Sequence, residues 1–256
     1  MPRFLVALVL GSVLVMNSRS AAAEPDGRLF EMRIYSAAEG KLDDLHARFR
    51  DHTTKFFEKH GITNIGYWTP INNEDRQIIY VLAYPSREAR EQSWKNFAAD
   101  PEWIQAKQAS EVDGKLVDKV VTKFLQVTDY SPAIQLDASG NRVFELRTYT
   151  TTPGNLDALH ARFRDHTVKL FEKHGMTNVI YWSLTADQPA ADKTLIYILA
   201  HDSQDAAQAS FAAFRSDPVW IAARTASEAQ AGGSLTAAQD GVRSLFMTPT
   251  DYSPIR

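Results

Sequence analysis

The sequence contains no cysteine among its 256 residues. This absence excludes disulfide bonds, thiol catalysis and cysteine ligands for a metal ion. Excess positive charge is also missing, since 28 lysine and arginine residues stand against 31 acidic ones and the formal net charge is −3. We therefore expect no nucleic-acid partner, because phosphate binding requires clustered cations.

Long apolar runs are absent except at residues 4–16, which follow Arg3 and precede a series of small residues ending at Ala23. A run of about 13 residues is too short to span a membrane, and the whole pattern is typical of a secretory signal peptide. We expect residues 1–23 to be cleaved off and the protein to be periplasmic or secreted, with no membrane span. Loss of two arginines with the leader would leave a net charge of about −5.

A duplicated segment dominates what remains. Leu42–Trp68 and Leu156–Trp182 are identical at 21 of 27 aligned positions. Similarity at the same offset of 114 begins at Phe30 and Phe144, and the offset grows to 122 at the Thr-Asp-Tyr-Ser-Pro motif that closes each copy. A duplication of this length indicates two copies of one compact unit. We assign domain 1 to residues 24–132, a linker to 133–141 and domain 2 to 142–256.

Each unit shows the pattern strand, helix, strand, strand, helix, strand. Alternating apolar and polar residues predict strands at Arg28–Tyr35 and Arg142–Tyr149, and the duplicated segment begins with helical spacing that ends at Gly61 or Gly175. The second helical region is broken at Asp-Pro, which predicts a new N-cap and a first-turn proline. The predicted class is α+β, with two tandem ferredoxin-like βαββαβ units.

A four-stranded sheet with helices on one face leaves its other face bare. Two copies in one chain can cover these faces by packing them together. We therefore predict that domains 1 and 2 pair with each other into a dimeric α/β-barrel-like arrangement. Further oligomerisation is compatible with this arrangement.

Several short motifs resemble the NIPSNAP family. They are Phe-Glu-Leu-Arg-Thr-Tyr on the first strand, His-Ala-Arg-Phe-Arg-Asp-His-Thr on the first helix, Glu-Lys-His-Gly at its end, and Ser-Asp-Pro-Val-Trp in the second helical region. The resemblance covers residues 28–132 and 142–254 and implies a dimeric α/β-barrel fold. The family has no settled biochemical activity. Its animal members are associated with mitochondria and membrane traffic, and the predicted signal peptide departs from those intracellular proteins.

Six of the seven histidines lie in the duplicated segment. On a wheel of 100° per residue they fall on or beside the apolar stripe, whereas Arg162, Asp165 and Lys173 lie outside it. One interpretation is that they are hydrogen-bonded groups at the seam between helix and sheet. The other is metal or haem ligation, but intervals of six and eight residues do not match the three or four that a helical metal pair requires. We predict no metal site and no cofactor, and a seam or surface role for His46, Arg50, His52, His160, Arg164 and His166.

The first strands carry a second set of polar residues. If Phe144, Leu146 and Thr148 face the helices, the alternate side chains face the barrel interior. They would form either a salt-bridge network or a polar pocket in which arginine binds a carboxylate or enolate and glutamate or tyrosine transfers protons. Trp68 and Trp182 are expected in the core. The candidate pocket residues are Glu31, Arg33, Tyr35, Glu145, Arg147 and Tyr149.

Two functions of different classes follow. The first is an exported binding or interaction module whose conserved helix faces in the two copies are contact surfaces. The second is a cofactor-independent monooxygenase or isomerase that uses a polar pocket inside the barrel, by analogy with related barrels. The partner is a small molecule or a protein of unknown identity. A barrel interior filled by side chains would favour the binding module.

Overall fold

The computed structural model describes residues 26–256. The predicted signal peptide lies outside the described residues, so its cleavage stays a prediction. None of the described helices is long and apolar enough to cross a membrane.

The two copies have the same order of elements. The first comprises β1 (Leu29–Ala37), α1 (Leu42–Arg48), a π-helical segment (Phe49–Thr53), α2 (Thr54–Lys59), β2 (Thr63–Pro70), β3 (Gln77–Tyr84), α3 (Arg87–Ala99), α4 (Pro101–Ser110) and β4 (Val117–Val127). The second comprises β5 (Val143–Thr150), α5 (Leu156–Arg162), a π-helical segment (Phe163–Thr167), α6 (Val168–Lys173), β6 (Thr177–Leu184), β7 (Thr194–His201), α7 (Gln204–Ser216), α8 (Pro218–Ala231) and β8 (Val242–Pro249). A short 3₁₀ turn, Ala191–Lys193, precedes β7.

The helices begin and end at the Asp-Pro pairs and glycines that the sequence predicted. The Asp100 and Asp217 carboxylates accept hydrogen bonds from the first backbone N–H groups of α4 and α8, with proline in the first turn of each. Gly61 and Gly175 have φ values of 74° and 77°, so each ends its helix in a conformation that favours glycine.

The mixed α+β class is confirmed, and the eight strands form one closed antiparallel barrel. Its order is β1-β3-β2-β8-β5-β7-β6-β4. Each copy contributes four adjacent strands. The copies join where β2 pairs with β8, with Trp68 opposite Pro249, and where β4 pairs with β6, with Leu125 opposite Leu184.

The barrel interior is filled by apolar side chains from both copies. Phe30 of β1 lies 6.0 Å from the Trp182 ring of the other copy, and Trp68 lies 5.6 Å from Phe144. These residues belong to one buried cluster with Met32, Ile79, Val81, Leu146, Ile196 and Ile198. The helices of each copy cover the outer face of its sheet through a separate aromatic cluster.

The prediction for the two faces of the first strands was wrong. Phe30 and Met32 face the interior, whereas Glu31 and Arg33 face the helices. The physical reason is that the closed interior offers charges neither water nor partners. The helix-covered face supplies Arg90 and other hydrogen-bonding side chains.

Candidate functional site

The duplicated helix of the first copy is bound by the closing motif of the second. His46 Nδ1 lies 2.8 Å from the Tyr252 hydroxyl oxygen. The Arg50 guanidinium donates two hydrogen bonds to the Asp251 carboxylate, at 2.5 and 2.8 Å. These contacts join residues about 200 positions apart in the sequence.

The same contacts occur at the other junction. His160 Nδ1 lies 2.8 Å from the Tyr130 hydroxyl oxygen, and Arg164 donates to both Asp129 oxygens at 2.6 and 2.7 Å. Each duplicated helix therefore binds a closing motif, and in both cases the motif comes from the opposite copy.

Each junction forms an open cleft. The first junction cleft has a volume of about 400 Å³ and is lined by Asp43, His46, Arg50, Thr69, Thr250 and Asp251. The second junction cleft has a volume of about 290 Å³ and is lined by Asp157, His160, Arg164, Ser183, Thr128 and Asp129. The aligned lining residues are identical except for the exchange of Thr69 for Ser183.

The π-helical segments set the helix face that reaches the clefts. In the first copy the buried residues Leu45, Phe49, Thr53 and Phe57 recur every four residues. A regular α-helix would rotate such a series steadily off one face, and the wider π turn corrects the rotation. The Thr53 hydroxyl donates to the Arg48 carbonyl oxygen at 3.1 Å, and Thr167 repeats this contact in the second copy.

Burial controls the protonation of the histidine–tyrosine pairs. Desolvation, with a smaller contribution from the neighbouring arginine, lowers the pKa of His46 and of His160 below 6.5. Desolvation also raises the pKa of Tyr252 and of Tyr130 above its usual value. Both members of each pair are therefore neutral at pH 7 and share one hydrogen bond.

The arginine–aspartate pairs remain charged. The hydrogen bond from Arg50 lowers the pKa of the Asp251 carboxyl below its ordinary value, and Arg164 does the same for Asp129. Each cleft thus combines a neutral imidazole, a paired guanidinium and a second carboxylate, Asp43 or Asp157.

The predicted candidate pocket residues form two internal networks instead of a pocket in the barrel. Glu31 accepts hydrogen bonds from Arg33 at 2.5 Å, Arg90 at 2.8 Å and the Tyr84 hydroxyl at 2.9 Å. Arg33 Nη2 donates to the Tyr35 hydroxyl at 3.2 Å. Glu31 is fully buried, so these partners compensate its desolvation.

The second copy has a different network around Glu145. Arg147 and the Ser244 hydroxyl each donate a hydrogen bond of 2.5 Å to this carboxylate, and His201 Nε2 lies 3.1 Å from it. Arg147 also donates to Tyr149 at 3.2 Å. The two networks differ in their hydrogen-bonding partners, whereas the two junction clefts have nearly the same lining residues.

The structure separates the histidines that the helical wheel grouped. His46 and His160 lie at the seam and line the clefts, whereas His52 and His166 are exposed. The placement of His52 and His166 beside the apolar stripe was wrong, because the π turn rotates the positions within and beyond it. Arg162, which the wheel placed outside the stripe, is also buried, because it packs against Trp220 of α8.

Sequence reasoning missed half of each cleft. Thr250, Asp251 and Tyr252 belong to the closing motif, whose presence in both copies was visible in the sequence. Nothing in the sequence showed that this motif reaches the other copy. Among residues 26–256 no group of three or more histidine or acidic side chains is placed to hold a metal ion.

Comparisons with known proteins place this geometry in context. A family model for NIPSNAP proteins matches residues 30–132 and 144–254. No curated protein matches the chain.

Solved structures share the fold at low sequence identity. A protein described as a candidate monooxygenase from Fusobacterium nucleatum is 11% identical, with a TM-score of 0.56, and the match covers 87% of this chain and 92% of that one. An anthrone oxidase-like protein is 12% identical, with a TM-score of 0.58 and coverage of 90% and 94%. A NIPSNAP family protein from Agrobacterium tumefaciens is 24% identical over 41% of this chain and 97% of its own, with a TM-score of 0.37. The first two similarities concern the fold alone.

Proposed function

The chain belongs to the NIPSNAP family, and we propose that it is an exported binding module that presents two equivalent ligand sites, the junction clefts. In this proposal two ferredoxin-like units in tandem build both sites, and each unit contributes residues to each cleft. A separated unit would therefore hold only half of either site.

The observation that carries the proposal is the agreement between the two sets of lining residues. The stretches Arg87–Phe97 and Gln204–Phe214 have drifted apart between the copies, and so have the networks around Glu31 and Glu145. The lining residues of the two clefts, by contrast, are identical except for Thr69 and Ser183. A shared ligand would explain why these positions resisted drift, since exposed polar residues otherwise tolerate exchange.

Holding the two copies together is a competing explanation, and it accounts for the arginine–aspartate and histidine–tyrosine contacts. It does not account for Asp43 and Asp157. Both are exposed, line the clefts, and form no ion pair within the described part of the chain. Their retention supports binding in addition to pairing.

The charges of the cleft indicate the class of ligand. Arg50 is neutralised by Asp251, and His46 is neutral at pH 7, so the Asp43 carboxylate gives the first cleft a net negative charge. The Thr250 hydroxyl makes no hydrogen bond in the described residues. We infer a small polar ligand, or a partner side chain, that donates hydrogen bonds through an amine or ammonium group.

Thermal stability in the presence of small amines tests the proposal. Ethanolamine, putrescine and lysine at millimolar concentrations are the probes, and at least one should raise the melting temperature of the full chain. The double variant Asp43→Asn/Asp157→Asn should lose that response. The control Asp51→Asn/Asp165→Asn changes the same charge on the same helices outside the clefts and should keep it. No response to any amine, or equal loss in both double variants, would contradict the proposal.

A cofactor-independent monooxygenase or isomerase is the second candidate function. Its chemistry would lie at the clefts, where the neutral His46 imidazole is positioned by its hydrogen bond with Tyr252 and would act as a general base. A polar pocket inside the barrel is not its site, because packed apolar side chains occupy that space. Turnover lost on replacing His46 and His160 by glutamine would favour this function over binding alone.

Export is a separate part of the proposal, supported by the apolar run near Arg3 and the small residues up to Ala23. Mass spectrometry of the protein recovered outside the cytoplasm should find Glu24 as the first residue. An exported protein with an intact leader would contradict it.

A further inference from the structure

A cavity of about 490 Å³ lies between α8 and the helix that contains the second π-helical segment. It is distinct from both junction clefts. Arg162 lies in its wall, and only 5% of that side chain is exposed. A buried guanidinium beside an open cavity is costly unless its donors find acceptors.

The partners of Arg162 are weak. Its Nη1 donates one long hydrogen bond, of 3.4 Å, to the Ser227 hydroxyl and lies 3.6 Å from a Glu228 carboxylate oxygen. Its Nε is buried without any hydrogen-bond partner in the described residues. The Trp220 ring lies 5.3 Å from the guanidinium carbon, which keeps the charged group in place.

The first copy provides an internal comparison. Arg48 aligns with Arg162 and also contacts a tryptophan, Trp103, at 5.7 Å. Its Nη1, however, forms a close ion pair of 2.7 Å with Glu111, which aligns with Glu228. Arg48 Nε is also buried without a hydrogen-bond partner in the described residues, so the two copies differ in the counter-ion, which is close to Arg48 and distant from Arg162.

Alanine side chains form about half of the remaining wall of the cavity, and Asn155, Asp165, His166, Ser227 and Gln230 form the rest. Ala158 and Ala161 come from α5, and Ala223 and Ala226 come from α8. They create an apolar surface next to a positive charge. Burial lowers the pKa of Arg162, since Glu228 compensates only part of its desolvation, and a bound anion would supply the missing compensation.

We propose that this cavity binds a small carboxylate with an apolar tail, whose carboxylate group contacts Arg162 and whose tail packs on the alanines. A guanidinium binds a carboxylate through two parallel hydrogen bonds, and the apolar wall accounts for the tail. The proposal concerns the second copy alone, since Arg48 of the first copy already has a close counter-ion in Glu111. It is independent of the amine-binding clefts, so either proposal can fail alone.

Isothermal titration of the full-length protein with sodium octanoate tests the site. We expect saturable binding of one octanoate per chain, weakened about tenfold or more in Arg162→Gln. The matched variant Arg48→Gln should bind like the wild type. Glu228→Gln removes the competing carboxylate and should strengthen binding, whereas Glu111→Gln should not change it.

A variant that keeps Arg162 distinguishes loss of binding from loss of folding. Ala226 is exposed at the cavity wall, so Ala226→Trp should fill the cavity and abolish octanoate binding without unfolding the protein. The absence of saturable octanoate binding would overturn the proposal. So would equal losses in Arg162→Gln and Arg48→Gln, unchanged binding in Ala226→Trp, or saturation by inorganic phosphate without any binding of octanoate.

Discussion

His46 Nδ1 lies 2.8 Å from the hydroxyl oxygen of Tyr252, and 206 residues separate the two in the sequence. His160 and Tyr130 repeat the contact at 2.8 Å across the other junction. The most strongly retained helix of each copy is thus matched to the closing motif of the other copy. The residues that are identical in the two copies make contacts between the copies as well as contacts within each copy.

Loss of the tyrosine hydroxyl should destabilise each junction. Tyr252→Phe removes the hydrogen bond to a half-buried imidazole, so we expect a decrease of about 1–2 kcal/mol in the free energy of unfolding. Tyr130→Phe is the matched variant and should show a similar decrease. Urea denaturation measures both, and unchanged stability in either would show that this contact contributes nothing.

Acid should weaken the junctions through the two histidines. Burial gives His46 and His160 a pKa below 6.5 in the folded protein, so the unfolded chain binds more protons as the pH falls. Their contribution is fully present above about pH 6.5 and is lost as the pH falls through that value towards the folded pKa. The double variant His46→Gln/His160→Gln should therefore show a smaller change in melting temperature between about pH 7 and pH 5. An identical pH dependence in wild type and variant would contradict this assignment.

A second acid transition should come from Asp217. Hydrogen bonds from Lys173 and His174 lower the pKa of this carboxyl below its ordinary value of 3.8. The stabilisation is therefore present above about pH 4 and is lost as the pH falls further. The melting temperature of Asp217→Asn should be lower than that of the wild type at pH 7, and this difference should become smaller in acid.

Asp100 has equivalent partners in Lys59 and His60. Asp100→Asn is therefore the matched variant for Asp217→Asn, and its melting temperature should depend on pH in the same way. A gap in melting temperature that stays constant with pH would mean that these carboxylates act only as helix caps.

Much of the fold could be predicted from the sequence because its local signals agree with one another. The Asp-Pro pairs mark the starts of α4 and α8, and Gly61 and Gly175 mark helix ends. Strand alternation also locates β1 and β5, which were predicted at Arg28–Tyr35 and Arg142–Tyr149 and lie at Leu29–Ala37 and Val143–Thr150. The duplication then predicts that two similar sheets combine.

The face of the sheet was harder to predict, because alternation in β1 reveals two faces without revealing which is inside. Glu31 could pair with Arg33 on either face. The deciding contacts come from Arg90 and Trp94, on a helix about sixty residues away. A constant helical period likewise cannot reveal a π turn, so the exposure of His52 and His166 was beyond a simple wheel.

Closure of the barrel predicts how a single unit behaves. Residues 142–256 alone would leave Phe144 and Trp182 exposed on a bare sheet face, with the edges of β6 and β8 unpaired. We expect this fragment to form a homodimer at micromolar concentration, detectable by light scattering. A stable, well-folded monomer would contradict the view that the two faces require each other.

The two junction clefts, and not the barrel interior, are the proposed binding sites, and nuclear magnetic resonance tests this most directly. The imidazole signals of His46 and His160 report on the clefts, and the indole N–H signals of Trp68 and Trp182 report on the interior. Titration of the full chain with ethanolamine, putrescine or lysine should shift both histidine signals and leave both indole signals unchanged. Shifts confined to the indole signals, or no shift of the histidines with any of these amines, would contradict the account.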